Sequence, residues 1–165
     1  MKPEYRTGIG FDVHAFAEGR KLLLGGIEIP SVKGLLGHSD ADVLLHSITD
    51  ALLGAVSMGD IGQHFPDTDK KYKNADSEIF LKKAYDLVLD KGYSLGNIDA
   101  VVAMQAPKIS PYLTEIRKKI SEILGCEIDK ISVKATTTEK LGFIGREEGV
   151  SAFASVLIIR NKNND

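Results

Sequence analysis

Tyr5-Arg6-Thr7-Gly8-Ile9-Gly10-Phe11-Asp12-Val13-His14 alternates residue by residue, and that alternation reads as a β-strand. Tyr5, Thr7, Ile9, Phe11 and Val13 fall on one side, while Arg6, Gly8, Gly10, Asp12 and His14 fall on the other. Asp12 and His14 therefore leave the same face one pleat apart, close enough for a carboxylate oxygen and an imidazole nitrogen to share a cation. His46, from a distant segment, would complete an Asp-His-His set. Such a set suits zinc with one position left open, the catalytic rather than the structural pattern. Gly8 and Gly10 precede the pair on its own face and leave it open to close approach.

Working outward, Leu22-Leu23-Leu24 and Ile27-Glu28-Ile29 flank Gly25-Gly26, which signals a hairpin that Pro30 ends. Ser39-Asp40-Ala41-Asp42 places an acid three residues after a serine, a capping-box pattern that opens a helix running to about Val56. A second helix is expected from Asp76 to Lys91, with Gly92 as its C-terminal cap. Ile98 to Gln105 reads as a strand, and Ser110-Pro111 as the start of a third helix that Gly125 closes. Ile131 to Ala135 and Val150 to Ile159 read as strands. The expected order is β-β-β-α-α-β-α-β-β. It implies an α/β (α+β sandwich) fold with one mixed β-sheet and helices packed on one face. The apolar stripes Ile79, Phe80, Leu87, Val88 and Leu113, Ile116, Ile120, Ile123 are core faces of the second and third helices. The long connections, Gly59 to Asn74 and Thr136 to Gly149, are where function is expected.

Composition narrows the class. The chain has 165 residues, enough for one domain with a real core, and no repeat or linker divides residues 1–165. A formal net charge of −2 gives no global reason to expect nucleic acid or an anionic membrane as partner, so any phosphate binding must be local. Cys126 is the only cysteine, which excludes a disulfide framework and a multi-thiolate zinc site within the chain. The opening Met1-Lys2-Pro3-Glu4-Tyr5-Arg6 does not lead into the apolar core of a signal peptide, and no apolar run is long enough to span a bilayer. A cytoplasmic protein is expected.

The remaining candidates are weak one by one. Asp42 and Asp50 lie four residues either side of His46, so either is placed to accept its second ring N–H. Equally, His46 alone reads as a half-buried histidine paired to an acid. His38-Ser39-Asp40 at a helix start is both an anion site and an ordinary cap. Thr136-Thr137-Thr138 follow a strand and could surround an oxyanion, with Lys134, Lys140 and Arg146 adding positive charge. Glu139 is out of place beside a phosphate unless a cation such as magnesium lies between them. Lys108, after Ala106-Pro107 at a strand end, is placed to meet a phosphate. The acids of Asp60 to Asp69 could hold hydroxyls or cations, or simply be solvated.

In combination and in this order, Gly10-Phe11-Asp12-Val13-His14, His38-Ser39-Asp40, Asp60-Ile61-Gly62, Phe65-Pro66-Asp67-Thr68-Asp69, Gln105-Ala106-Pro107-Lys108 and Lys134 through Phe143 resemble the 2-C-methyl-D-erythritol 2,4-cyclodiphosphate synthases of the non-mevalonate isoprenoid pathway. The resemblance covers essentially the whole chain. It implies a lyase that cyclises a cytidine diphosphate ester of methylerythritol 2-phosphate and releases CMP. Asp12, His14 and His46 match the zinc ligands, and Glu139 matches the residue holding magnesium or manganese on the diphosphate. His38 and Thr137 match transition-state stabilisers. Asp60 and Gly62 match contacts to the methylerythritol part, and Ser39, Ile61, Phe65, Asp67 and Asp69 match further substrate-binding residues. Ala106, Pro107, Lys108, Thr136 to Thr138, Phe143 and Arg146 match cytidine, phosphate and further substrate contacts. The resemblance further implies a homotrimer with active sites between subunits, and Phe11, Arg146 and Glu148 lining an axial cavity for an isoprenoid diphosphate. Gly37, Ile144 and Ile109-Ser110 depart from the family's usual residues and bear on the base pocket. Two other classes share these residues: a zinc phosphohydrolase, and a non-enzymatic trimer that binds isoprenoid diphosphates.

Overall fold

The structure, a computed structural model, describes residues 4–161; Met1–Pro3, the start of the stretch read for a signal peptide, lie outside the described residues. The alternating stretch is β1 (Tyr5–Glu18), four residues longer than expected. The Gly25-Gly26 hairpin is a separate two-stranded ribbon of β2 (Leu22–Leu24) and β3 (Ile27–Ile29). A short edge strand absent from the sequence reading, β4 (Lys33–Leu35), pairs with the far end of β1. Then come helices α1 (Val43–Ala55), α2 (Ile61–His64) and α3 (Ser77–Asp90), strand β5 (Tyr93–Ala103), helix α4 (Leu113–Leu124), strand β6 (Ile131–Thr136), the one-turn helix α5 (Gly142–Gly145) and strand β7 (Gly149–Arg160). The two long connections thus hold the short helices α2 and α5.

The main sheet runs β4-β1-β7-β5-β6, with only β5 and β6 parallel, so it is mixed. The parallel pair is joined through α4, the crossover such a pair requires. Among the described residues no helix is long and apolar enough to cross a membrane.

The two faces of β1 do opposite jobs. Its glycines are buried against α1: a β-carbon on Gly8 would lie 1.9 Å from the Ala51 carbonyl oxygen, and one on Gly10 1.8 Å from that of Ser47. The open space ahead of Asp12 and His14 is therefore filled by helix backbone, which corrects the expectation that these glycines open the pair to a ligand. The apolar side points away from the helices, leaving Ile9 83%, Phe11 52% and Phe153 50% exposed in the single chain. Helix α1 is buried on nearly all sides; Leu44, Leu45, Ile48, Leu52 and Leu53 have no exposed surface. Each such side chain contributes roughly 1.5–3 kcal/mol of burial, so α1 is anchored by the core rather than by its propensity.

Two helix starts differ from expectation. Helix α1 is capped by Asp42, not Ser39. The Asp42 carboxylate accepts Leu45 N–H at 3.0 Å, Gly25 N–H at 3.0 Å and Gly26 N–H at 2.7 Å. A cap that also ties down the hairpin turn outcompetes a serine further along the loop. Ser39 instead accepts Ala41 N–H. Its position four residues before the helix takes His38-Ser39-Asp40 off the helix N-terminus, so any anion contact there rests on side chains rather than on helix amides. Similarly, Ser110 makes no cap; it opens a 3₁₀ turn (Ser110–Tyr112) that leads into α4. Asp76 and Gly125 take their expected places at the start of α3 and the end of α4.

Candidate active site

The close approach of α1 to Gly10 sets His46 beside the Asp12–His14 pair. Asp12 Oδ2 is 3.0 Å from both His14 Nε2 and His46 Nδ1, and the two ring nitrogens are 3.2 Å apart. One ligand atom from each residue lies within 4.8 Å of the others, so this group could hold a metal ion. The outer ring nitrogens are anchored. His14 Nδ1 is 2.8 Å from the Leu36 carbonyl oxygen, and because a carbonyl only accepts, the proton sits on Nδ1 and Nε2 offers a lone pair inward. Burial pushes the Asp12 carboxyl up, yet the two imidazoles 3.0 Å from it outweigh that and hold the group at about 2. Burial likewise pushes His14 down, but Asp12 beside it raises it above the ordinary imidazole range. A carboxylate and two imidazoles converging without other partners between them is the arrangement a divalent cation satisfies.

His46 finds its outer partners elsewhere than expected. Its Nε2 lies 2.8 Å from Ser77 Oγ and 3.2 Å from Ser39 Oγ. Neither Asp42 nor Asp50 serves: Asp42 is committed to the hairpin, and Asp50 accepts Ile61 N–H at 2.7 Å. Burial pushes both of those carboxyls up, against the backbone N–H groups they accept. The residue that sequence reasoning missed is Ser77. It stands 31 positions from His46, and a serine at a helix start carries no signal of such a contact.

The cluster opens into a cavity of about 550 Å³, lined by Asp12, His14, His38, Ser39, His46, Ile61, Gly62, Phe65 and Asp67 among the expected residues, and by Tyr72 and Phe80 besides. Phe65 stacks on Phe80 with centroids 4.7 Å apart, and Tyr72 meets both edge-on. Asp60 and Asp69 act locally: Asp60 caps α2, while Asp69 caps the turn at Lys70–Tyr72 and pairs with Lys71 at 3.0 Å. The Asp69 carbonyl lies 3.4 Å from His38 Nε2.

The other expected residues form a second group. Gln105 Oε1 accepts Lys140 N–H at 3.1 Å and joins the Ala106-Pro107-Lys108 loop to the Thr136–Glu139 loop. Ala106 and Pro107 line a cavity of about 270 Å³ with Phe16, Val32 and Lys33; Thr138 and Phe143 line a shallower one. Glu139 and Lys140 both take left-handed backbone, φ 53° and 65°, unusual for non-glycine residues in succession and typical of functional loops. The Glu139 carboxylate is exposed and accepts the Thr137 hydroxyl at 3.3 Å. Lys134 is spoken for by Asp99, 2.5 Å away, and Arg146 by Glu148 at 2.8 and 3.2 Å; Lys108 is exposed.

Within one chain the two groups do not meet. Asp12 faces Ala152, which faces Val102, which faces Ala135. Three inter-strand steps separate the Asp12–His14–His46 cluster from the root of the threonine loop, about 14 Å.

Comparison with known proteins bears on this geometry. The model of the YgbB family matches residues 5–159. Proteins of Bacillus cytotoxicus and Bacillus mycoides, each described as 2-C-methyl-D-erythritol 2,4-cyclodiphosphate synthase, are 60% identical over 154 residues, 93% of this chain and 98% of theirs. Among solved structures, the bifunctional IspDF of Campylobacter jejuni matches with a TM-score of 0.93 at 51% identity; the match covers 96% of this chain and 43% of that one. The IspF of Plasmodium falciparum, solved as a CDP complex, matches with a TM-score of 0.84 at 40% identity, over 96% of this chain and 97% of that one.

Proposed function

This chain belongs to the YgbB family, and from that premise we propose that it converts 4-diphosphocytidyl-2-C-methyl-D-erythritol 2-phosphate to 2-C-methyl-D-erythritol 2,4-cyclodiphosphate and CMP, in the cytoplasm, for isoprenoid biosynthesis. The observation that carries this reading is the Asp12–His14–His46 convergence at the mouth of a 550 Å³ cavity, in a chain 60% identical to proteins described as that synthase. In the reaction an oxygen of the 2-phosphate forms a bond to the diphosphate phosphorus nearer methylerythritol. The bond to the CMP oxygen breaks, and CMP leaves with that electron pair. The nucleophile is already an anion, so no strong general base is needed. The obstacle is the meeting of several negative charges, which positioned charge and donors relieve.

Asp12, His14 and His46 would hold a divalent cation, zinc by the donor set. That ion supplies Lewis-acid stabilisation to a phosphoryl oxygen when bound. His38 and Ser39, on the cavity wall, orient the phosphate beside the cluster. Asp60 and Gly62 contact the methylerythritol moiety, and Ile61, Phe65, Asp67 and Asp69 make further substrate contacts from the same loop. Thr136, Thr137 and Thr138 donate hydroxyl and backbone hydrogen bonds to the diphosphate, with Thr137 and His38 acting where charge builds up. Glu139 would hold a magnesium or manganese ion against the diphosphate. Ala106, Pro107 and Lys108 bind the cytidine end, and Phe143 and Arg146 make further substrate contacts.

The roughly 14 Å between the two groups favours a site completed by another copy of the chain. The exposed apolar sheet face around Ile9, Phe11 and Phe153 supports the same conclusion, because monomers rarely leave such a face to water. A homotrimer meets both requirements, with Phe11, Arg146 and Glu148 near its axis, around a cavity suited to an isoprenoid diphosphate. Phosphorus NMR of the protein with the cytidine substrate, zinc and magnesium tests the reaction. A cyclic diphosphate appearing with CMP is expected; CMP without a cyclic product would instead mark a phosphohydrolase, and ligand binding without CMP release a binding protein.

A further inference from the structure

The proton on His46 is directed by residues outside the ligand set. Asp40 accepts three hydrogen bonds: Asp42 N–H at 3.1 Å and the Ser77 hydroxyl on Oδ1, and Ser77 N–H at 3.0 Å on Oδ2. Two of these donors are backbone amides with no alternative role, so both carboxylate oxygens serve as acceptors. The Ser77 hydroxyl proton therefore points at Asp40, and what Ser77 Oγ presents to His46 Nε2, 2.8 Å away, is a lone pair. Two lone pairs cannot face each other at that distance, so His46 Nε2 carries the proton. Its Nδ1, 3.0 Å from Asp12 and 3.2 Å from His14, is then the nitrogen that faces the cluster, and it is free for a cation once no proton bridges it to Asp12. Ser77 has no exposed surface and His46 only 9%, so the bond between them is shielded from water.

We propose that Asp40 and Ser77 form a positioning relay, Asp40 carboxylate to Ser77 hydroxyl to His46 Nε2, that locks His46 in the one neutral tautomer able to ligate a cation through Nδ1. This rests on the reading of Asp12, His14 and His46 as a cation site and extends it to residues from the loop before α1 and the first turn of α3. The relay also explains why those segments are stitched together by Asp40 N–H to the Ala75 carbonyl and Ser77 N–H to Asp40. A shift of α3 would release the His46 proton and weaken the site without touching a ligand. Ser39 is the internal control. Its Oγ also approaches His46 Nε2, at 3.2 Å, but is tied to Ala41 N–H rather than to an anion, so it does not impose a proton direction.

Two-bond proton–nitrogen NMR correlations on isotope-labelled protein, at a pH where imidazole is neutral, report each histidine's tautomer with and without zinc. Wild-type His46 is expected to carry a proton on Nε2 in both forms, with Nδ1 unprotonated when zinc is bound. In Ser77→Ala the zinc-free protein is expected to show a mixture of tautomers. Its zinc affinity, read by competition with a chelating dye, should fall about 10–100-fold, the usual effect of losing an outer partner of a ligating histidine. Ser39→Ala keeps the wild-type tautomer. The proposal is overturned if Nε2 of wild-type His46 carries no proton, if Ser77→Ala leaves tautomer and affinity unchanged, or if Ser39→Ala rather than Ser77→Ala moves the tautomer. Should wild type bind no zinc, or Asp12→Ala bind it equally well, the ligand assignment fails instead, and the zinc-free tautomer still decides the relay.

Discussion

The metal cluster and the threonine loop are built by opposite means. Asp12, His14 and His46 sit on β1 and α1, whose backbones close on each other at Gly8 and Gly10, and the outer ring nitrogens are held by Leu36, Ser39 and Ser77. The Thr136–Lys140 loop rests on local backbone, with two left-handed residues, one bond to Gln105 and mostly exposed side chains. One half is positioned by the core. The other offers donors and a carboxylate to solvent, and in the proposed assembly it gains its full surroundings from substrate and a neighbouring copy. Damage to the first half should therefore appear in both ion binding and folding, and damage to the second in turnover alone.

The sharpest test of the contrast is His46→Ala. Removing a ligand from the packed half should abolish zinc binding and lower kcat by about 10³, in the range seen when a preorganised electrostatic group is lost. Steady-state rates by phosphorus NMR and metal content by atomic absorption check it. Cyclisation persisting at the wild-type rate with the ion gone would break the assignment of roles.

Gly10→Ala comes next and acts without touching a ligand. The new methyl group meets the Ser47 carbonyl, so α1 must lift from β1 and carry His46 with it. Overpacking of this kind costs about 3 kcal/mol. Urea unfolding should show that loss together with weakened zinc binding; a variant as stable as wild type would mean that the helix does not depend on this contact.

Much of this could be read in the chain before folding. Period-two alternation located β1 and put Asp12 and His14 on one face, the Gly25-Gly26 turn marked the ribbon, and Gly125 marked the end of α4, because each depends on neighbours in sequence. What escaped depends on distant partners. Asp42 won the cap of α1 through amides of Gly25 and Gly26, and His46 found Ser77 rather than the acids one turn away. The glycines of β1 were read as room for a ligand because nothing local says that a helix backbone will fill it. The apolar face of β1 is outward for a related reason: alternation identifies two faces but not which one meets the helices.

Thr137→Ala probes the exposed half. Loss of one hydrogen bond to a charged phosphoryl group is worth about 2 kcal/mol, so kcat should fall roughly 10–100-fold. The thermal unfolding midpoint should not move, since surface substitutions away from packed features are usually within about 0.5 kcal/mol. Zinc affinity should also hold. A Tm loss comparable to that of Gly10→Ala would show the loop to be as integral to the core as the metal cluster, and the contrast would collapse.

The smallest effect is expected far from both halves, at the sheet end where Glu4 accepts Arg160 Nε at 2.6 Å, the Tyr93 hydroxyl at 2.5 Å and Arg6 Nε at 3.3 Å. Arg160, Tyr93 and Arg6 outweigh a slight desolvation and hold the Glu4 carboxyl at about 2, below its ordinary 4.5. A carboxyl depressed in the folded state binds fewer protons there than when unfolded. Its contribution is therefore complete above about pH 4.5 and drains away as the pH falls toward 2. Solvent screens this exposed group, so the contribution is minor. Glu4→Gln should be slightly less stable than wild type in urea at neutral pH, and the gap should close in acid. Zinc affinity and turnover at neutral pH should match wild type, because the cluster is held by α1 and the threonine loop by its own backbone. A gap that widened on acidification would reverse the sign of the linkage, and a loss of zinc affinity would mean that strain at this end of β1 reaches Asp12, so that the packed half is less self-sufficient than its contacts suggest.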